Sequence, residues 1–168
     1  MSAPAPIIVT ALLGGEDQAW FDRQRQAYFP RERNFLQAHL TMFHHLPPSL
    51  AGEVRQRLGE AAREGTPEAR IAGLISLGRG VAYRIESPGL EAFRAQLADI
   101  WAGLLTPQDA APWRPHITIQ NKVDPSDARA LLATLRADFR PRPLAVAGYA
   151  AWWYRGGPWE PLSRHMCA

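Results

Sequence analysis

HLTM at residues 39–42 and HITI at residues 116–119 are two copies of one short pattern, His–apolar–Thr–apolar, set 77 positions apart. Each lies in a strand-like run. FLQAHLTMFHHL (35–46) stops at Pro47-Pro48, and HITIQNKV (116–123) stops at Asp124-Pro125. Successive strand side chains point to opposite faces, so His39 and Thr41 share one face while Leu40 and Met42 share the other. The same parity joins His116 to Thr118 and sets Ile117 and Ile119 behind them. With six threonines in 168 residues, a Thr two places after a given His is a ~4% event, and two such hits among five histidines arise by chance on the order of 1% of the time. Extended further, the parity places Phe43 with His39 and Thr41, and Gln120 and Lys122 with His116 and Thr118.

Working outward, Ile7 to Leu13 reads as a buried strand stopped by Gly14-Gly15. Asp17 is then expected to cap a helix carrying Trp20, Phe21 and Tyr28, which Pro30 ends. Ser49 opens a second helix with Val54, Leu58, Ala61 and Ala62 on one face. Residues 69–86 read as a hairpin turning at Gly78-Arg79-Gly80. Leu90, Phe93, Leu97, Ile100, Trp101 and Leu104 mark an amphipathic helix over 89–105. A Pro-containing loop, 106–115, leads to the second motif. Asp124-Pro125-Ser126 starts the last helix, and a strand-like aromatic tail runs over 144–154, with a short return strand after Gly156-Gly157-Pro158. The order β-α-β-α-β-β-α-β-α-β-(β) is that of an α+β fold with a mixed or antiparallel sheet and outer helices. No low-complexity linker interrupts it, so residues 1–168 are expected to form a single domain.

Composition narrows the function classes. The chain has 46% hydrophobic and 21% charged residues and a net charge of +3, as in an ordinary soluble globule, not a disordered tail or a fibre. All the cations but Lys122 are arginines, spread along the chain without a basic run, so charge alone supports no more than a weak bias toward anionic partners. The lone cysteine, Cys167, excludes an internal disulfide and a Cys-based metal cluster. The first residues carry no signal-peptide pattern and no stretch is long and apolar enough for a membrane helix, so a cytoplasmic protein is expected.

Two histidines on facing strands suit in-line displacement at phosphorus. That reaction needs a base beside the attacking oxygen and an acid beside the leaving oxygen, and imidazole titrates near neutral pH. Thr41 and Thr118 then supply hydroxyl donors to the non-bridging phosphate oxygens. The pattern calls for neither a metal nor another cofactor, and leaves open which histidine is base and which is acid.

On these eight motif residues and on its element order, the chain resembles the two-histidine (2H) phosphoesterase superfamily, which includes the bacterial 2′-5′ RNA ligases and the RNA 2′,3′-cyclic phosphodiesterases. The resemblance implies two pseudo-symmetric lobes facing across a central cleft, with His39, Thr41, His116 and Thr118 as catalytic residues. It also implies RNA ends or cyclic nucleotides as substrates, 2′,3′-cyclic phosphate hydrolysis as the activity, and reversible 2′-5′ joining of RNA ends at the same site. Phe43, Gln120 and Lys122 are the expected substrate-binding residues; Arg79, Arg84 and Arg114 are further candidates for phosphate contact, each with a plain surface arginine as the alternative. Two other readings compete: an RNA- or nucleotide-binding module without useful catalysis, and a zinc hydrolase using His39, His44 or His45. Adjacent strand residues such as His44 and His45 point apart, which disfavours joint chelation. His165 is expected to be exposed in the tail. Trp152, Trp153, Tyr154 and Trp159 are expected to pack a core, with a stacking wall for a nucleobase as the alternative.

Overall fold

In the computed structural model, which describes residues 4–168, the first apolar run forms β1 (Ile7–Leu13) and Gly14 turns the chain directly into α1 (Gly15–Tyr28). There follow β2 (Leu40–Leu46), α2 (Ala51–Arg63), β3 (Ala69–Ser76), β4 (Val81–Glu86) and α3 (Pro88–Ile100). A single helical turn, α4 (Pro107–Ala110), precedes β5 (His116–Gln120) and α5 (Pro125–Asp138). Three strands end the chain: β6 (Arg142–Leu144), β7 (Val146–Trp153) and β8 (Glu160–Met166).

These strands make two four-stranded antiparallel sheets, ordered β2-β1-β7-β8 and β5-β4-β3-β6. The order shows a duplication with exchange. β1-α1-β2-α2-β3 and β4-α3-β5-α5-β7 are matching runs, and each lends its last strand to the other's sheet: β3 pairs with β4, and β7 with β1. The motif strands β2 and β5 lie at the edges of their sheets. The helices behind the sheets are exchanged too. Phe21 of α1 meets Tyr83 of β4 edge-on, while Phe93 of α3 meets Tyr149 of β7. Ile7, Val9, Leu40, Met42, Ile71, Val81, Ile85, Ile117 and Ile119 face the helices and are buried, part of the apolar core whose removal from water stabilises the fold.

Several boundaries differ from the sequence expectation. The second strand starts at Leu40; residues 35–39 are irregular, so His39 stands just before β2. Gly14, not Asp17, is the N-cap of α1. Asp17 sits in the first turn, its carboxylate accepting from the Ala145 N–H (2.8 Å) and from Arg142, which ties α1 to the start of β7. α3 ends at Ile100, with a left-handed Gly103 (φ 87°) beyond it. β5 ends at Gln120 because Lys122 adopts φ 62°, a conformation that no strand continues through. Among the described residues no helix is long and apolar enough to cross a membrane.

Gly80 shows how tightly the second motif strand is seated. A Cβ there would lie 1.9 Å from the Gln120 carbonyl oxygen, whereas Gly78 (φ 81°) faces open space. Gly80→Ala is expected to lower unfolding stability by about 2–3 kcal/mol in urea titrations, the cost of overpacking against backbone. Gly78→Ala should cost about 1 kcal/mol, for its left-handed φ alone. Equal losses would show that β5 yields to the clash.

Candidate functional site

β1 pairs Thr10 with Thr41, and β4 pairs Ala82 with Thr118 and Arg84 with His116. The motif residues therefore stand on the sheet faces turned away from the helices. His39, Thr41, His116 and Thr118 are all half-buried, while Leu40, Met42, Ile117 and Ile119 are fully enclosed. The motif strands approach each other, and the two imidazoles sense each other electrostatically. The structure thus brings together the four residues singled out by the repeated pattern.

The two histidines are held alike. The His39 ring nitrogen Nδ1 lies 2.8 Å from the Gln37 carbonyl, and that of His116 lies 2.7 Å from the Arg114 carbonyl. A carbonyl can only accept, so Nδ1 carries the hydrogen in both rings and Nε2 is left to exchange a proton. Trp159 packs on His39 with ring centroids 4.6 Å apart. Burial pushes the His39 pKa from 6.5 down to about 4, against the Gln37 hydrogen bond that favours the charged ring; Arg25, His116 and His44 push it down further.

Beyond each threonine the alternation breaks, at the same place in both halves. Thr10 pairs with Thr41 but Val9 pairs with Phe43, leaving Met42 as an extra residue. Likewise Ala82 pairs with Thr118 but Val81 pairs with Gln120, leaving Ile119 as the extra residue. A β-bulge inverts the parity of everything after it. Phe43 is consequently in the core, fully buried beneath the Arg94 guanidinium and beside Trp101, and does not line the cleft as expected. Gln120 is also turned inward, 7% exposed, with its side-chain oxygen unpaired. Lys122 lies past the strand end in an exposed left-handed turn, so strand parity never reaches it.

The sequence reading missed the residues that brace the motif strands. Arg94 of α3, 5% exposed, donates Nε to the Met42 carbonyl (3.0 Å) and a terminal nitrogen to the Asp109 carbonyl (2.7 Å). Its counterpart Arg25 of α1, 4% exposed, donates to the Thr118 carbonyl (3.1 Å) and to Asn34. Burial lowers the pKa of both guanidiniums, only partly offset by Asp22 near Arg25 and Asp109 near Arg94. Trp113 donates its indole N–H to the Thr41 carbonyl (3.0 Å). The fully buried Asp109 carboxylate accepts from the backbone N–H groups of His44 and His45 (2.8 and 2.9 Å). Burial alone would raise its pKa, but the hydrogen bonds from His44 and His45 outweigh it and hold the carboxyl below its usual range. The His44 ring is committed to Asp109 at 3.3 Å. A signal existed: Leu90, Arg94 and Leu97 are all buried on one stripe of α3, as are Asp17, Phe21 and Arg25 on α1, and an arginine amid such a stripe demands a buried partner.

Of the other expected residues, Arg84 stands beside His116 and is ion-paired with Glu86. Arg114 is exposed, and Arg79 donates to the Val123 carbonyl near the hairpin tip. His165 is not exposed: it is half-buried against Gly59 of α2, with Nε2 enclosed.

Two exchanged antiparallel sheets that present paired His/Thr motifs define a two-histidine phosphoesterase fold. The chain belongs to the 2′-5′ RNA ligase superfamily, whose sequence profile matches residues 15–158. Solved structures with this architecture include TT0787 of Thermus thermophilus, at 19% identity and a TM-score of 0.61 over 96% of this chain and 97% of that one. Another, described as a phosphoesterase, is 17% identical with a TM-score of 0.61 over 99% of both chains. E. coli LigT complexed with NADP+ is 20% identical with a TM-score of 0.58, over 98% of this chain and 99% of LigT. No curated protein sequence matches the chain significantly.

The depressed His39 pKa has a measurable consequence for stability. Between pH 6.5 and about 4 the unfolded chain binds a proton at this position that the folded chain refuses. Stability from this group is complete above the upper value and is lost as the pH falls toward the lower one. The drop in Tm from about pH 7.5 to about pH 4.5 is therefore expected to be smaller in His39→Gln than in the parent. An equal drop in both proteins would contradict an imidazole that its surroundings keep neutral.

Proposed function

We propose that the protein is a metal-independent phosphodiesterase that opens 2′,3′-cyclic phosphates on RNA ends or small nucleotides. The observation that carries this reading is the matched tethering of the His39 and His116 rings, each with Nδ1 on a backbone carbonyl, which leaves Nε2 as the nitrogen that exchanges a proton. One imidazole takes the proton of the attacking water while the other gives a proton to the departing ribose oxygen. The bond from phosphorus to that oxygen breaks as the bond to water forms. Thr41 and Thr118 donate hydroxyl hydrogen bonds to the non-bridging oxygens as negative charge builds there. With a ribose 5′-hydroxyl in place of the attacking water, the same pair joins two RNA ends through a 2′-5′ bond, and the reverse of that step cleaves the bond and restores the cyclic phosphate. That E. coli LigT has been crystallised with ATP and with 3′-AMP supports a nucleotide-type ligand.

The bracing residues act through position. Arg25, Arg94 and Trp113 fix the carbonyls of the motif strands, and so fix where the histidines and hydroxyls point. The Arg25 charge also reaches His39, where it disfavours protonation and favours an anion.

Turnover of 2′,3′-cyclic mononucleotides, with the product isomer identified, tests the reading. Thr41→Val and Thr118→Val are expected to lose ~10–1000-fold in kcat, the range for weakening or removing a transition-state donor. His39→Ala and His116→Ala should each nearly abolish turnover, and the double variant should be little worse, because the two act as one unit. Chelators should leave the rate unchanged. A correctly folded single alanine variant with ordinary activity would overturn the two-histidine mechanism, and binding without any turnover would favour a nucleotide-binding module.

A further inference from the structure

The two histidine rings are tethered alike, but the peptides that tether them are held by different means. His116 rests on the Arg114 carbonyl, which belongs to the Arg114–Pro115 peptide. The nitrogen of that peptide is a proline's and carries no hydrogen, so no acceptor can grip it from the other side. The next carbonyl, that of Pro115, is taken up by the Ile85 N–H (3.0 Å), and His116 itself pairs with Arg84. Strand pairing orients His116.

His39 has no such support. Its pairing with β1 begins only at Leu40, opposite Ala11, and residues 35–39 lie outside β2. The tether here is the carbonyl of the Gln37–Ala38 peptide, and the N–H of that same peptide donates to the Asp22 carboxylate at 2.7 Å. A trans peptide is planar, with N–H and C=O pointing opposite ways, so fixing one end fixes the other. Gln18, one turn earlier on α1, donates its amide to the Ala38 carbonyl (2.9 Å) and to the same Asp22 oxygen (3.1 Å). Both backbone groups of Ala38, which is 4% exposed, are thus satisfied by side chains of α1.

Resting on the phosphodiesterase reading above, we propose that Asp22, braced by Gln18, is the positioning residue of His39 and acts through the Gln37–Ala38 peptide. One chain of hydrogen bonds joins them. The Ala38 N–H donates to Asp22 Oδ1, and the His39 Nδ1–H donates to the Gln37 carbonyl. The carboxylate at the far end polarises the peptide and strengthens its carbonyl as an acceptor. The ring is thereby kept in the tautomer that leaves Nε2 to exchange a proton. His116 has no counterpart to Asp22, because Pro115 offers no N–H.

The test reads the ring and the rate separately. Asp22→Leu keeps the bulk and removes the acceptor. Long-range ¹H–¹⁵N spectra of this variant should show His39 leaving the pure Nδ1–H tautomer for a mixture, while His116 keeps its own. Its kcat on a 2′,3′-cyclic mononucleotide should fall on the order of 100-fold, as for a misplaced reacting group, with KM changed far less. Asp22→Asn keeps an acceptor oxygen and should retain kcat within about threefold. Gln18→Met frees the Ala38 carbonyl and one side of Asp22, so it should move both readouts the same way by less. A His39 tautomer or a kcat unmoved in Asp22→Leu, or in Gln18→Met where the former does not fold, overturns the proposal. So does an Asn variant as impaired as the Leu one, or equal disturbance of His116. If the parent turns over no cyclic phosphate, the phosphodiesterase reading falls, and the His39 spectra alone decide the role of Asp22.

Discussion

A buried guanidinium held against a backbone carbonyl of the opposite half is the interaction from which the arrangement of the site follows. The motif strands β2 and β5 are edge strands, and an edge strand exposes a row of unsatisfied N–H and C=O groups. Here helices exchanged between the halves supply the missing partners. Arg94 reaches the Met42 carbonyl, and Arg25 reaches that of Thr118. Trp113 and Asp109 complete the edge of β2. Burying an arginine is costly, and hydrogen bonds to charged donors recover only part of that cost. What the arrangement secures is geometry: each motif carbonyl is fixed by an element rooted in the other half, so the two His/Thr pairs cannot drift apart independently.

The same constraint explains the matched bulges at Met42 and Ile119. A regular strand would carry the cleft face onward to Phe43 and Gln120. The extra residue ends that face immediately after the threonine and returns the chain to the core, where Phe43 supports the Arg94 guanidinium at 4.2 Å. Four polar side chains are thereby presented in a narrow band, and the chain on either side goes back to packing.

The parts of this design differ in how far they were legible from the residues. The repeated His–apolar–Thr–apolar pattern gave the four motif residues and their common face, because the relation is local and obeys a period of two. Strands and helices were readable where apolar spacing was regular, as in Ile7–Leu13 and the stripe on α3. Bulges and strand ends were not. The consecutive apolar pair Met42-Phe43 did interrupt the alternation, but Ile119-Gln120 gave no such sign, and the left-handed turn at Lys122 leaves no mark in composition. The cross-half partners Arg25, Arg94, Asp109 and Trp113 depend on the exchange of strands and helices, which no short window of sequence contains. The strand expected from Phe35 begins only at Leu40, which leaves Phe35 irregular and exposed at the rim of a cavity beside His39.

The central claim is that one phosphate lies between His39 and His116 and engages both. The direct measurement is a titration of the ¹⁵N-labelled protein with a nucleoside 2′-monophosphate, following the imidazole nitrogens of both residues by long-range ¹H–¹⁵N correlation. A single phosphate bridging the pair predicts that both Nε2 resonances shift along one binding curve with one Kd, while both Nδ1 resonances remain those of a protonated nitrogen bonded to a carbonyl. A shift confined to one histidine, or two curves with different Kd values, would contradict it.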